Sequence, residues 1–196
     1  MAPDTFLALL TFAIVATVTP GPNNVMVMAS GANFGLRRTL PHMLGITFGF
    51  GAMIALVGVG VMRAFDAWPP SYTVMQVLCA AYLLYLAYRI ATAPPPGAAG
   101  PRARPFTALQ AAAFQWINPK AWAMGLAAVT LYAPTRAAES VLIVAGTFML
   151  VAMPCIAIWV LAGQGLARAL TSPFRRRLFN GLMAGGLILS LAPALI

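Results

Sequence analysis

Charged and polar side chains cut this chain into six apolar segments, at about 5–34, 41–62, 72–93, 106–132, 138–164 and 178–196. Each is close to or above the roughly 20 apolar residues that a helix needs to cross a bilayer. None has the even alternation of polar and apolar positions that marks a membrane strand. The pattern predicts six transmembrane helices joined by short loops, an all-α polytopic membrane protein. The first run begins Met1-Ala-Pro-Asp4 with no basic flank and continues into Thr19-Pro-Gly-Pro-Asn-Asn24 with no small-residue cleavage site. It reads as a retained span and not as a signal peptide.

The stretch from Pro94 to Pro105, opening with three prolines and Gly97, is the one linker-like segment. It divides a single transmembrane domain, 1–196, into a set of three spans (1–93), a cytoplasmic linker (94–105) and a second set of three (106–196). Three is odd, so the second set enters the membrane from the opposite face. The expected architecture is two inverted three-helix repeats, an arrangement common among secondary transporters.

Composition agrees with the segment pattern and excludes other classes. Of 196 residues 61% are hydrophobic and 8% charged, and mean hydropathy is +0.87. An ordinary soluble domain carries about 25% charged residues, so a water-facing surface cannot be assembled here. The net charge of +9 would fit a nucleic-acid binder, but its placement gives a simpler account. Nine of the twelve basic residues follow spans one, three and five, two follow spans two and four, and Lys120 lies inside a span. By the positive-inside rule both termini lie outside and the nine lie in the cytoplasm. No nucleic-acid partner is expected.

Each predicted half opens with a proline-interrupted span: Gly21-Pro22-Asn23-Asn24 in span one, Asn118-Pro119-Lys120 in span four. The two prolines are 97 positions apart, about half the chain. Pro22 lies 18 residues after Asp4 and 15 before Arg37; Pro119 lies 15 after Arg104 and 17 before Arg136. At about 1.5 Å per residue both breaks fall near the bilayer centre. Proline removes a backbone donor and crowds the preceding turn. Backbone freed in this way survives at membrane depth only when buried in protein or lining a wet cavity. Asn118-Pro119 and Gly21-Pro22 have the form of an N-cap and a first helical residue. Two half-helices are therefore expected to start near the midplane, their positive dipole ends directed toward a shared centre that suits a carboxylate. Carbonyls near Thr19 and Ile117, with the oxygens of Asn23, Asn24 and Asn118, suit an ammonium. A zwitterionic amino acid carries both groups.

Lys120 is expected to face the bundle interior, since a charged side chain at the centre costs roughly 2.5–3.5 kcal/mol on insertion scales. The alternative, snorkelling to the cytoplasmic surface, would leave 119–133 too short to span. His42, beside Pro41, reads as interfacial. Gly45-x-x-x-Gly49 and Gly181-x-x-x-Gly185 read as small-residue packing faces, Pro154 as a kink, and Tyr82, Tyr85 and Tyr88 as interface anchors. No metal or other cofactor is expected.

These residues resemble the LysE/RhtB family of amino-acid exporters. The likeness is carried by Thr19-Pro-Gly-Pro-Asn-Asn24, Gly35-Leu-Arg-Arg38, Gly45-Ile-Thr-Phe-Gly49, Ala81-Tyr-Leu-Leu-Tyr-Leu-Ala-Tyr88 and Phe114-Gln-Trp-Ile-Asn-Pro-Lys120, and covers essentially the whole chain. The Asn-Asn form is similar to the branch that includes cysteine and O-acetylserine exporters. The resemblance implies an inner-membrane permease of six spans that expels a small amino acid or related metabolite, and implies proton antiport. Many relatives carry an aspartate where this chain has Asn23, and no acidic residue falls within a span. Lys120 or His42 would then be the titrating group; the alternative is export driven by the substrate gradient alone. A neutral substrate is expected over a cationic one.

Two rivals share parts of this pattern. A transmembrane thiol–disulfide carrier would use Cys79 and Cys155, yet these are 76 positions apart and not at equivalent repeat positions. An intramembrane hydrolase would need a paired nucleophile and base, and a single histidine at a span edge is a poor base.

Overall fold

A computed structural model describes residues 1–92, 104–169 and 172–189. Most of the Pro94–Pro105 linker lies outside the described residues. Among those described the secondary structure is all helical, with no strand. In chain order the helices are α1 (Pro3–Val18), α2 (Pro22–Gly58), α3 (Met62–Ala67), α4 (Pro70–Ala91), α5 (Ala108–Phe114), α6 (Pro119–Tyr132), α7 (Ala138–Ala169) and α8 (Pro173–Leu189). A 3-10 turn, Gln115–Ile117, links α5 toward α6. By length and composition, α2 and the stretch Ala138–Leu166 of α7 are long and apolar enough to cross a membrane.

Sequence chemistry explains where these helices begin. Pro3 stands in the first turn of α1, and Asp4 places its negative charge at the positive end of the helix dipole. Thr107 and Gln110 form a reciprocal capping box at the start of α5: the Thr107 hydroxyl accepts from the Gln110 amide, and the Gln110 side chain accepts from the Thr107 N–H. Pro22 opens α2 and Pro119 opens α6.

The expected loop between spans one and two shrinks to one residue. Helical backbone runs through 36–40, and only Gly35 departs from it, at φ 76° and ψ 171°, a region open to glycine alone. The joint is held internally. Thr39 Oγ1 donates its only proton to the Gly35 carbonyl at 2.8 Å, so Ser30 is the donor in the 2.9 Å hydroxyl contact between Ser30 and Thr39. Outside the joint, the Arg38 guanidinium lies over the Phe34 ring.

α2 and α7 share the most extensive interface, and glycine sets its closeness. A Cβ at Gly31 would strike the Val160 carbonyl, and one at Gly163 the Met28 carbonyl. Pro154 sits within α7 without ending it. The expected Gly45/Gly49 face is packed: Gly45 meets the Ala108 carbonyl, and a Cβ on Gly49 would lie 2.5 Å from Ala112 Cα. The Gly181/Gly185 face is not, since among the described residues nothing stands within 4 Å of either position. A core of Leu9, Phe50, Met53, Ile54, Trp122 and Phe148 joins α1, α2, α6 and α7, with Phe148 edge-on to Phe12 and Phe50.

Two polar positions differ from expectation. His42 is only 2% exposed; its ring packs on Phe106 at 5.3 Å, and neither nitrogen has a hydrogen-bond partner among the described residues. Glycine at 45 and 49 draws α5 against this part of α2, which carries His42 inward. Tyr82 turns toward Phe114 at 5.5 Å, while Tyr85 and Tyr88 stay exposed as anchors would.

Candidate functional site

The two interrupted helices meet. α1 ends at Val18 and α2 starts at Pro22; the 3-10 turn ends at Ile117 and α6 starts at Pro119. A helix end leaves carbonyls without intrahelical partners, and here each one is answered. The Val15 carbonyl accepts from the Thr19 N–H and the Ala16 carbonyl from the Thr19 hydroxyl. Asn24 Nδ2 donates to the Thr17 carbonyl at 2.9 Å and the Thr19 carbonyl at 2.8 Å. Trp159 Nε1, from α7, donates to the Val18 carbonyl at 3.1 Å. Lys120 supplies the rest: its ammonium donates to the Thr19 carbonyl at 2.7 Å, Thr19 Oγ1 at 2.9 Å and the Pro20 carbonyl at 3.2 Å.

Lys120 thus points inward, as its position in the chain predicts, and has three oxygens for its three protons. Gly21 makes room for it. A Cβ at Gly21 would lie 2.7 Å from Lys120 Cδ and 3.1 Å from Nζ. The backbone at Gly21 is extended, with φ −177°, so glycine is required by the neighbouring side chain and not by a conformational demand.

A second tie joins the breaks through neutral groups. Asn23 Nδ2 donates to Gln115 Oε1 at 2.9 Å, and Gln115 Nε2 donates back to Asn23 Oδ1 at 3.2 Å. Gln115, 0% exposed, spends its other proton on the Ala111 carbonyl. At the second break the Gln115 carbonyl accepts from the Asn118 N–H, and Trp122 Nε1 donates to the Trp116 carbonyl at 3.0 Å.

The breaks differ in one respect. Asn118 caps α6 through its side-chain oxygen, which accepts from the Lys120 N–H at 3.2 Å. Gly21 has no side chain to cap α2, and no acceptor meets the Asn23 or Asn24 N–H among the described residues. Helices start at both expected prolines, Pro22 and Pro119; only the α2 start is open.

Between the breaks lies a small, partly open cavity. Thr17, Gly21, Asn23, Asn24, Gln115, Asn118 and Lys120 give it a polar wall, faced by apolar side chains that include Ile46, Phe50 and Met124. With the network fixing the amide orientations, three side-chain groups of lining residues keep no partner among the described residues: Asn24 Oδ1, an acceptor, Asn118 Nδ2, a donor, and the Thr17 hydroxyl. Five of the seven residues picked from sequence, Gly21, Asn23, Asn24, Asn118 and Lys120, line this cavity; Pro22 and Pro119 are not among the lining residues. The Thr19 carbonyl and the Asn23 and Asn118 oxygens, expected to be acceptors for a solute's ammonium, accept in this structure from the protein's own donors. His42, expected as a candidate titrating group, is not among the lining residues. Sequence reading passed over Gln115 and Trp159; the signal for Gln115 was a neutral polar side chain inside an apolar span, three positions before Asn118.

The comparisons with known proteins bear on the whole chain. Residues 14–196 match the family model described as LysE type translocator. The chain belongs to this family. This translocator is similar to the cysteine/O-acetylserine efflux protein of Klebsiella pneumoniae, 27% identical over 84% of each chain. It is also similar to the protein of that name from Salmonella choleraesuis, 29% identical over 86% of this chain and 87% of the relative. The Escherichia coli protein of that name is 28% identical over 67% of each. No solved structure matches the translocator. The thiol-carrier rival gains nothing from the structure: Cys155 is a free, buried thiol, and the Cys79 side chain lies outside the described residues.

Proposed function

We propose that this translocator exports a small neutral amino acid, or a close metabolite of one, from the cytoplasm across the inner membrane as a secondary transporter. The observation that carries this reading is the cavity between the two breaks. It sets an unpartnered donor, Asn118 Nδ2, and the uncapped start of α2 on the same wall as an unpartnered acceptor, Asn24 Oδ1. Donors at a helix start favour a carboxylate, and an amide oxygen favours an ammonium. The names of the relatives, efflux proteins for cysteine and O-acetylserine, agree with a solute of that kind.

Neutrality of the solute follows from charge. The chain has three acidic residues, and none lines the cavity. A cationic solute would stand beside the Lys120 ammonium without a counter-charge, which a low-dielectric site penalises heavily. In this reading the chain forms six spans in two inverted sets of three, with both breaks at the midplane and both termini outside. The Gly35 joint separates spans one and two. Proton antiport is part of the proposal, with Lys120 favoured over His42 as the titrating group, because Lys120 faces the cavity.

The test is to compare metabolites in the medium of cells with and without overexpression, then to repeat efflux in proteoliposomes with and without an imposed pH gradient. Excess of a neutral amino acid in the medium is expected. No excess of any amino acid overturns the export reading, and efflux indifferent to the gradient overturns the antiport.

A further inference from the structure

The oxygens around Lys120 Nζ form an ammonium receptor. Three acceptors, two backbone carbonyls and one hydroxyl, lie 2.7–3.2 Å from a primary ammonium, matching its three protons in number and kind. This receptor belongs to the first break, while its occupant comes from the second, 100 positions away in sequence. The occupant reaches it past Gly21, on the wall of the cavity.

We propose that the Thr19–Pro20 oxygens are the ammonium subsite of the transported solute and that Lys120 holds them only until the solute arrives. In the exchange, the solute's ammonium takes the Thr19 carbonyl, the Thr19 hydroxyl and the Pro20 carbonyl, and the displaced Lys120 ammonium pairs with the solute's carboxylate. No covalent bond changes. This inference rests on the export reading above and names the chemistry of its site.

Charge accounting supports the exchange. Without solute, one ammonium sits on the oxygens with all three of its protons donated. With a zwitterion bound, one ammonium again sits on the oxygens, and the second meets one carboxylate. A cationic solute would leave an ammonium without a partner, an unpaired charge that is strongly unfavourable. A carboxylate lacking an amine would draw Lys120 off the Thr19 and Pro20 oxygens and leave those buried acceptors without a donor, which is also a cost. Selection for zwitterions then needs no acidic side chain in the cavity.

The experiment has two arms on the purified full-length protein. In the first, Lys120→Met empties the subsite, and methylammonium chloride is titrated while thermal unfolding is followed. A saturable rise in unfolding temperature is expected for Lys120→Met and not for the parent chain, and tetramethylammonium, which has no N–H, should give none. Equal behaviour of the variant and the parent overturns the subsite. In the second arm, the parent chain in proteoliposomes is given cysteine or N-acetylcysteine, whose amine is blocked. At least tenfold slower transport of the blocked compound is expected; equal rates overturn the exchange. Transport of neither compound counts against the export reading, while the methylammonium arm still decides the subsite. Should Lys120→Met fail to fold, the second arm alone decides.

Discussion

Asn23 and Gln115 are joined amide to amide, each donating to the other, at 2.9 and 3.2 Å across 92 positions of sequence. The pair binds the start of α2 to the turn before α6 without placing charge in the cavity. Gln115→Leu fills a similar volume and leaves the Asn23 amide without partners. A buried polar group left this way costs about 1–3 kcal/mol. The expected result is a lower unfolding temperature in detergent and a marked loss of efflux. Gln115→Asn, too short to bridge, should lose efflux with a smaller loss of stability. Efflux at the parental rate from both would remove the pair from the transport site.

Lys120→Met should abolish efflux while leaving membrane insertion intact. Asn24 Nδ2 still holds the Thr19 carbonyl, so the break does not lose all its donors. Hydrogen bonds to a charged group are each worth about 1.5–3 kcal/mol, so the variant is also expected to be less stable. Membrane fractionation beside an efflux assay checks both halves of this prediction.

Gly21→Ala tests the same contact from the other side. The added methyl would fall 2.7 Å from Lys120 Cδ, and the flexible side chain can retreat only by withdrawing Nζ from Thr19 and Pro20. The backbone at Gly21 tolerates alanine, so the fold should be retained, with a fall in unfolding temperature no larger than that of Lys120→Met, while efflux drops. Parental efflux would mean that the close approach of Lys120 is dispensable.

Trp159→Phe keeps a ring in α7 and removes the proton donated to the Val18 carbonyl. The expected effect is destabilisation of about 1–3 kcal/mol from an unpaired carbonyl away from water, read as a fall in unfolding temperature. An unchanged unfolding temperature would show that Val18 finds another donor.

Cysteine chemistry gives a control. Replacing both Cys79 and Cys155 with serine should leave efflux near the parental rate, whereas a thiol–disulfide carrier would lose all activity.

The helical nature of the chain, the two proline breaks and the inward path of Lys120 were all legible in the sequence. Each follows from a strong local cause: long apolar runs, a missing backbone donor, and the cost of a charge in an apolar span. What Lys120 would touch was not legible, because the choice between a solute's carboxylate and the oxygens at the end of α1 depends on where α1 and α6 dock. The same holds for Gln115 and Trp159, each of which acts on a partner at least 92 positions away. His42 was misplaced because position beside a proline and a charge cluster says nothing of α5 folding over it. Gly181 and Gly185 show that small-residue spacing marks a face able to pack, and packing still needs a neighbour.

The glycine contacts at Gly31 and Gly163 leave α2 and α7 backbone against backbone, with no side chain between them to act as a bearing. Close-packed surfaces of this kind do not slide by degrees. If the proposed transport opens the cavity to alternate sides, the two long helices are expected to move as one frame, and the movement to be carried by the short pieces docked on it. Of these α6 brings the lysine, and it can swing only when its grip on Thr19 and Pro20 is released.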